Sequence, residues 1–196
     1  SVGAECLNDF KRYPMKKKIY LVCGRSCSGK SSIVRQVCKD LGMKYLKSYT
    51  TRDARPGEEK ESDHIFIRKE DVEWYKQQGI VAWTEINGNE YFATRELLDQ
   101  SDFYVIDPAG IEYLRTTCWD EYEFIVIYIR VPYATAKKRS EYRGDKNFST
   151  RYESENSMFG EFERKGCWDY HLLNNDTLDA AVAKMKHIIE KENERG

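Results

Sequence analysis

The sequence lacks most of the patterns that would commit it to a metal, a disulfide framework or a membrane. Its three histidines, His64, His171 and His187, stand at no metal-ligand spacing, so neither histidine catalysis nor metal-dependent hydrolysis has support. Six cysteines (Cys6, Cys23, Cys27, Cys38, Cys118 and Cys167) form no C-x-x-C pair and read as reduced thiols, which makes the cytoplasm the expected compartment. No apolar run approaches the roughly 20 residues of a membrane span, and no secretory signal is recognisable. Charge of one sign is missing too. The 32 basic and 33 acidic residues leave a formal net charge of −1, so no overall field favours nucleic acid or an anionic membrane as partner. Any anion site must therefore be local. There is no internal repeat or low-complexity tract.

What is present suits one globular domain. The chain has 196 residues, of which 40% are hydrophobic and 33% charged, enough apolar side chain for a core. Residues 1–14 show no clear period and are expected to be a leader or tag-like arm ahead of a domain at 15–196.

The most informative stretch is Gly24-Arg25-Ser26-Cys27-Ser28-Gly29-Lys30-Ser31, followed by Ser32. It fits G-x-x-x-x-G-K-[ST] at every fixed position, between the apolar run 19–23 and an expected helix. The glycines let backbone N–H groups converge on an anion, the helix start adds partial positive charge, and Lys30 adds a full one. Ser31 is then placed to hold Mg²⁺ on the β- and γ-phosphates of a nucleotide. Cys27 has two readings: a thiol made reactive by those N–H groups and Lys30, or a small loop filler.

Further along, strands and helices alternate, which predicts an α/β fold with a parallel sheet flanked by helices. Strands are expected at 18–23, 44–46, 65–67, 103–106, 124–129 and 171–173, and a hairpin around Asn87-Gly88-Asn89. Helices are expected at 31–41, 69–78, 109–117, after Pro132, at 150–165 as one long element, and at 178–193. Between them, Arg52 and Arg55 stand three apart in a polar loop, a plausible clamp for a phosphate monoester.

The P-loop, the Thr-Thr-Arg-x-x-Arg-Pro-Gly-Glu segment at 50–58, the Trp-x-x-x-x-Gly-Asn-x-Tyr hairpin at 83–91 and the Asn-x-x-x-Leu-Asp at 174–179 occur in register. Together they make the chain resemble the guanylate kinase family from about residue 18 to 190. The resemblance implies a P-loop core, a small α+β insertion for a nucleoside monophosphate at about 49–93, and a helical lid region at about 133–165. It implies the reaction ATP + GMP ⇌ ADP + GDP with Mg²⁺, in a monomer or homodimer. By the same resemblance Lys30 and the loop amides cradle the donor phosphates and Asn175 lies near the adenine. Arg52, Arg55 and Tyr91 bind the acceptor phosphate, with His64 in place of the family's tyrosine, and Ser48 lies near the acceptor base. Asp107 matches an acidic residue beside acceptor and metal-bound water, and Arg139, Arg143 and Arg151 match lid arginines that approach the donor.

The departures concentrate on the acceptor base. Ala82 stands where the family has a glutamate, and Ala93 where it has serine or threonine. Glu85 lies three positions beyond Ala82, on the opposite face of an alternating strand, and Glu90 is the other acidic candidate. Asp107-Pro108-Ala109-Gly110 replaces Asp-x-Gln-Gly. The leading alternative is a P-loop kinase for a different or modified nucleotide or another small phosphorylated acceptor. A non-catalytic phosphopeptide-binding module of the same resemblance is the rival outside enzymes.

Overall fold

A computed structural model describes residues 15–58 and 62–196; the expected leader at 1–14 lies outside the described residues. Its centre is the strand β1, Lys18–Cys23, in a parallel sheet with β6 (Phe103–Val105), β7 (Glu123–Arg130) and β8 (Tyr170–Leu173), in the order β6-β1-β7-β8. The near-continuous apolar run of β1 follows from burial on both faces. Ile19, Leu21 and Cys23 point into a cluster with Ile111 and Leu114 of α4 (Pro108–Thr117) and Phe159 and Phe162 of α7 (Asn156–Lys165). Tyr20 and Val22 point the other way, onto Ile33, Val34 and Val37 of α1 (Lys30–Leu41) and Val182 and Met185 of α8 (Leu178–Arg195). β7 alternates likewise, with Val126 and Tyr128 on the first face and Ile127 and Ile129 on the second. Each such side chain buried contributes about 1.5–3 kcal/mol. The loop at the end of β1 is thereby fixed to the stiffest part of the molecule.

A second sheet carries the insertion. Its order is β3-β2-β5-β4, with β2 (Ser48–Thr50) parallel to β3 (His64–Phe66), and antiparallel pairing joins β5 (Asn89–Thr94) to both β2 and β4 (Ile80–Ile86). A 3₁₀ turn at Lys69–Asp71 and α2 (Val72–Gln77) precede β4, and the short α3 (Arg95–Asp99) follows β5. The base of the β4–β5 hairpin docks on α4, where the Thr117 hydroxyl donates to the Val81 carbonyl at 2.6 Å.

Several expectations need correction. Residues 44–46 make no strand; Tyr45 forms a single parallel bridge to Phe103, and the strand begins instead at Ser48. β2 hides in a polar sequence because its pairing with β3 and β5, not its hydrophobicity, makes it a strand. The helix expected at 150–165 is two helices, α6 (Phe148–Ser154) and α7, separated at Glu155. α5 (Tyr133–Tyr142) precedes them, so the stretch 133–165 is built of three helices.

Candidate active site

The 24–31 loop is shaped by close approaches that only small residues allow. A Cβ on Gly24 would come within 2.5 Å of the Ile129 carbonyl oxygen, and one on Gly29 within 2.5 Å of the Asn174 side-chain nitrogen. Gly29 also has a φ of 89°, which caps α1, and Cys27 adopts a left-handed φ of 61°. Asn174 is buried after β8 and donates to the Ser28 carbonyl at 2.8 Å, so it braces the loop from behind. The Lys30 ammonium lies at 2.9 Å from the Arg25 carbonyl, folded along the loop. Burial pushes its pKa down and the nearby Glu155 carboxylate pushes it back up. Cys27 departs from the reactive-thiol reading: burial raises its pKa, against the opposing pull of Arg143 and Arg151.

Two cavities open on this loop. One, of about 820 Å³, is lined by Gly29, Ser32, Arg139, Arg143, Asn174 and Asn175. Arg139 projects from α5 and donates through Nη2 to the Asn174 carbonyl at 3.0 Å, while its buried Nη1 has no partner among the described residues. Burial lowers the Arg139 pKa and the Arg143 charge lowers it further. Asn175 is exposed at the mouth, with its Oδ1 accepting from Thr135 at 2.7 Å.

The other cavity, of about 710 Å³, faces Gly24, Ser26, Lys30 and Ser31 on one side and the insertion on the other. Ser48, Arg52, Arg55, His64, Tyr91, Asp107 and Arg151 all line it. Arg52 is not a free fork, whereas Arg55 is exposed and, among the described residues, is held only through its backbone. Arg52 makes a bidentate pair with Glu58, at 2.7 and 3.0 Å, and Glu58 also accepts from the Arg55 amide at 2.9 Å. This hydrogen bonding holds the Glu58 carboxyl down at about 2. His64 is kept neutral by burial and by Arg52, with Nδ1 at 3.0 Å from the Ser48 hydroxyl. Asp107 caps α4, its Oδ1 accepting from the Gly110 amide at 2.7 Å. Its Oδ2 is buried without a hydrogen-bond partner among the described residues, although Thr84 lies near enough to favour the anion. Burial raises the Asp107 pKa overall. Ser31 presents a half-buried hydroxyl beside Lys30, 3.5 Å from the Tyr45 hydroxyl.

Not every expected residue reaches a cavity. Ala82 and Ala93 pair directly across the β4–β5 ladder, both wholly buried in the core with Tyr104 and Ile106, and neither lines the acceptor-side wall. Their lack of polar atoms is what allows that burial. Beyond them the same face carries Thr84 opposite Tyr91, and a register shift at Ile80 precedes Ala82 without moving Glu85 onto it. Glu85 pairs with Glu90 at the exposed end, and Glu90 accepts from the Trp83 indole at 3.0 Å. Arg151 lines the second cavity rather than the one with Arg139 and Arg143, and pairs with Asp145. The sequence reading missed Glu58, Asn174 and Glu155. The Glu58 pairing was accessible in principle, since it closes the quoted 50–58 segment.

The guanylate kinase family model matches residues 16–192. A guanylate kinase of Thermotoga maritima is 28% identical over 188 residues, 91% of this chain and 88% of the relative. One of Syntrophus aciditrophicus is 29% identical, covering 87% of this chain and 84% of the relative. Among solved structures, guanylate kinase from Anaplasma phagocytophilum superposes with a TM-score of 0.67 at 22% identity, over 91% of this chain and 87% of that one.

Proposed function

The chain belongs to the guanylate kinase family, a family of phosphotransferases, and we propose that it transfers the γ-phosphoryl group of ATP to GMP or dGMP across the 24–31 loop. The observation that carries this reading is the pair of cavities sharing one loop, each walled by arginines. ATP enters the cleft under Arg139, Arg143 and Asn175, with its phosphates on the loop amides of Gly24, Arg25, Ser26, Cys27, Ser28 and Gly29 and on Lys30, Ser31 and Ser32. The acceptor phosphate meets Arg52, Arg55, His64 and Tyr91.

Phosphoryl transfer asks little covalent help of a protein; it needs in-line positioning and positive charge on the transferred group. Lys30 supplies that charge from the loop and Arg151 from the lid. The unpartnered N–H groups of Arg139 and Arg151 are suited to anionic oxygen. Mg²⁺ fits the Ser31 hydroxyl, because this ion takes few protein ligands and draws the rest from phosphates and water. When bound it neutralises charge on the β- and γ-phosphates.

For the base, the buried Asp107 Oδ2, which has no hydrogen-bond partner among the described residues, is an acceptor suited to guanine's N–H donors, with Ser48 and Glu85 lining the same cavity. The hairpin lines the cavity with Thr84, Glu85, Asn87, Asn89 and Tyr91, but the two positions that the family resemblance assigns to the base, Ala82 and Ala93, are apolar and lie in the core. Missing hydrogen bonds at such a site cost about 1–3 kcal/mol each, so guanine selectivity is expected to be shallower by about 10²-fold than a fully polar pocket gives. A coupled assay with ATP across GMP, dGMP, AMP, UMP, CMP and dTMP tests this, with Lys30→Ala as the control. GMP and dGMP are expected to lead, and Lys30→Ala to abolish transfer while thermal unfolding stays cooperative. A non-guanine acceptor turned over fastest would replace this reading with a kinase for that nucleotide. Absence of transfer to every acceptor would favour a binding module.

A further inference from the structure

The break between α6 and α7 places an acidic side chain on the donor loop. Glu155 accepts from the Ser26 backbone N–H at 3.0 Å through Oε2 and from the Ser26 hydroxyl at 2.5 Å through Oε1. Around it the same lid segment grips Arg25. That guanidinium donates to the Asn156 side chain at 2.6 Å and lies over the rings of Tyr152 and Phe159, with centroids 4.8 and 5.3 Å away. Because Lys30 Nζ sits on the carbonyl of Arg25, the residue before Ser26, the Glu155 carboxylate shares the loop's cationic end with the ammonium. In a loop of this type the lysine reaches the β- and γ-phosphates. The two donors Glu155 occupies are thus ones that the terminal phosphates of a bound triphosphate would approach.

We propose that Glu155 is an internal phosphate surrogate, which holds the lid to the donor loop of the nucleotide-free protein through Ser26 and is displaced when a nucleoside triphosphate enters. This rests on the donor reading of the loop given above. A carboxylate is stabilised by converging N–H donors and a nearby cation in the same way as a phosphate. It cannot stay there beside a triphosphate, since like charges in one desolvated site repel. Displacement frees α6, which carries Arg151 one turn before Glu155; the Glu155 amide bonds the Arg151 carbonyl at 3.1 Å. Glu155 is therefore a residue that discriminates nucleotides by their third phosphate.

The effect is a population tax. If the latched form makes up about 70–90% of the free protein, the apparent Kd for a triphosphate is raised about three- to ten-fold. Calorimetric titration of wild type, Glu155→Ala and Glu155→Gln with Mg·ATP and with Mg·ADP measures it. Both variants are expected to bind ATP about three- to ten-fold more tightly than wild type, with a smaller change for ADP. Limited proteolysis of the nucleotide-free variants is expected to cut the 145–156 segment faster than in wild type, a difference that ATP removes. ATP affinity unchanged or weakened in both variants, while wild type binds ATP, would overturn the latch and leave the donor reading intact. No ATP binding by any of the three chains would overturn the donor reading itself. Should Glu155→Ala fail to fold, the near-isosteric Glu155→Gln decides alone.

Discussion

At the scale of single residues, the cavity beside the smaller sheet is organised by a carboxylate that binds an arginine. Glu58 holds the Arg52 fork at two points and the Arg55 amide at a third, so the Arg52 guanidinium arrives at the cavity already oriented and the backbone at Arg55 is fixed beside it. Its folded pKa lies at about 2, below the ordinary 4.5. A depressed carboxylate contributes stability that is complete above the unfolded value and disappears as pH falls through the folded one. The stability advantage of wild type over Glu58→Gln is therefore expected to be full above about pH 4.5 and to vanish on approach to about pH 2. Denaturant unfolding of both chains across that range checks it; a constant difference would show that Glu58 acts without its charge. At neutral pH the same variant is expected to raise KM for the acceptor more than it lowers kcat, because Arg52 keeps its charge and loses its aim.

At the scale of elements, the parts with strong local signals were legible and those made by tertiary pairing were not. β1, the loop and α1 are set by an apolar run, a fixed glycine pattern and Gly42 in a left-handed C-cap, and they stand where the sequence places them. β2 was not legible, since Ser48-Tyr49-Thr50 is extended by its neighbours on both sides rather than by its own composition. The kink at Glu155 was invisible for a similar reason: the residues around it favour a helix, and what holds the side chain is a loop 129 positions away. The fate of Ala82 and Ala93 was half legible. The resemblance places both beside the acceptor base, and only the ladder shows them sealed into the core. α4 offers a test. Asp107 caps it with Pro108 in the first turn, so Asp107→Asn, which keeps a capping oxygen, is expected to cost under about 1 kcal/mol of stability. Asp107→Ala is expected to cost about 1–2 kcal/mol, read as a lower melting temperature. If Asp107 also serves the acceptor base, Asn will lose activity although it retains the cap.

At the scale of the whole molecule, the parallel sheet carries the loop, the loop after β2 brings Arg52 and Arg55 to one cavity, and the helical stretch 133–165 brings Arg139 and Arg143 to the other and Arg151 to the first. The cavity under Arg139 and Arg143 is walled by α1, α5 and residues 174–178, whereas the other joins the smaller sheet to α6 and α7. That division also governs how the protein can be watched. Of its tryptophans, Trp83 lines the acceptor-side cavity, whereas Trp74, Trp119 and Trp168 line neither cavity. Its indole is tied to Glu90 on the hairpin that the acceptor must touch. The unlabelled chain consequently carries an optical reporter on one substrate and none on the other. Titration with GMP is expected to change the intrinsic emission, and Trp83→Phe to abolish that response, while ATP alone leaves emission at this position nearly silent.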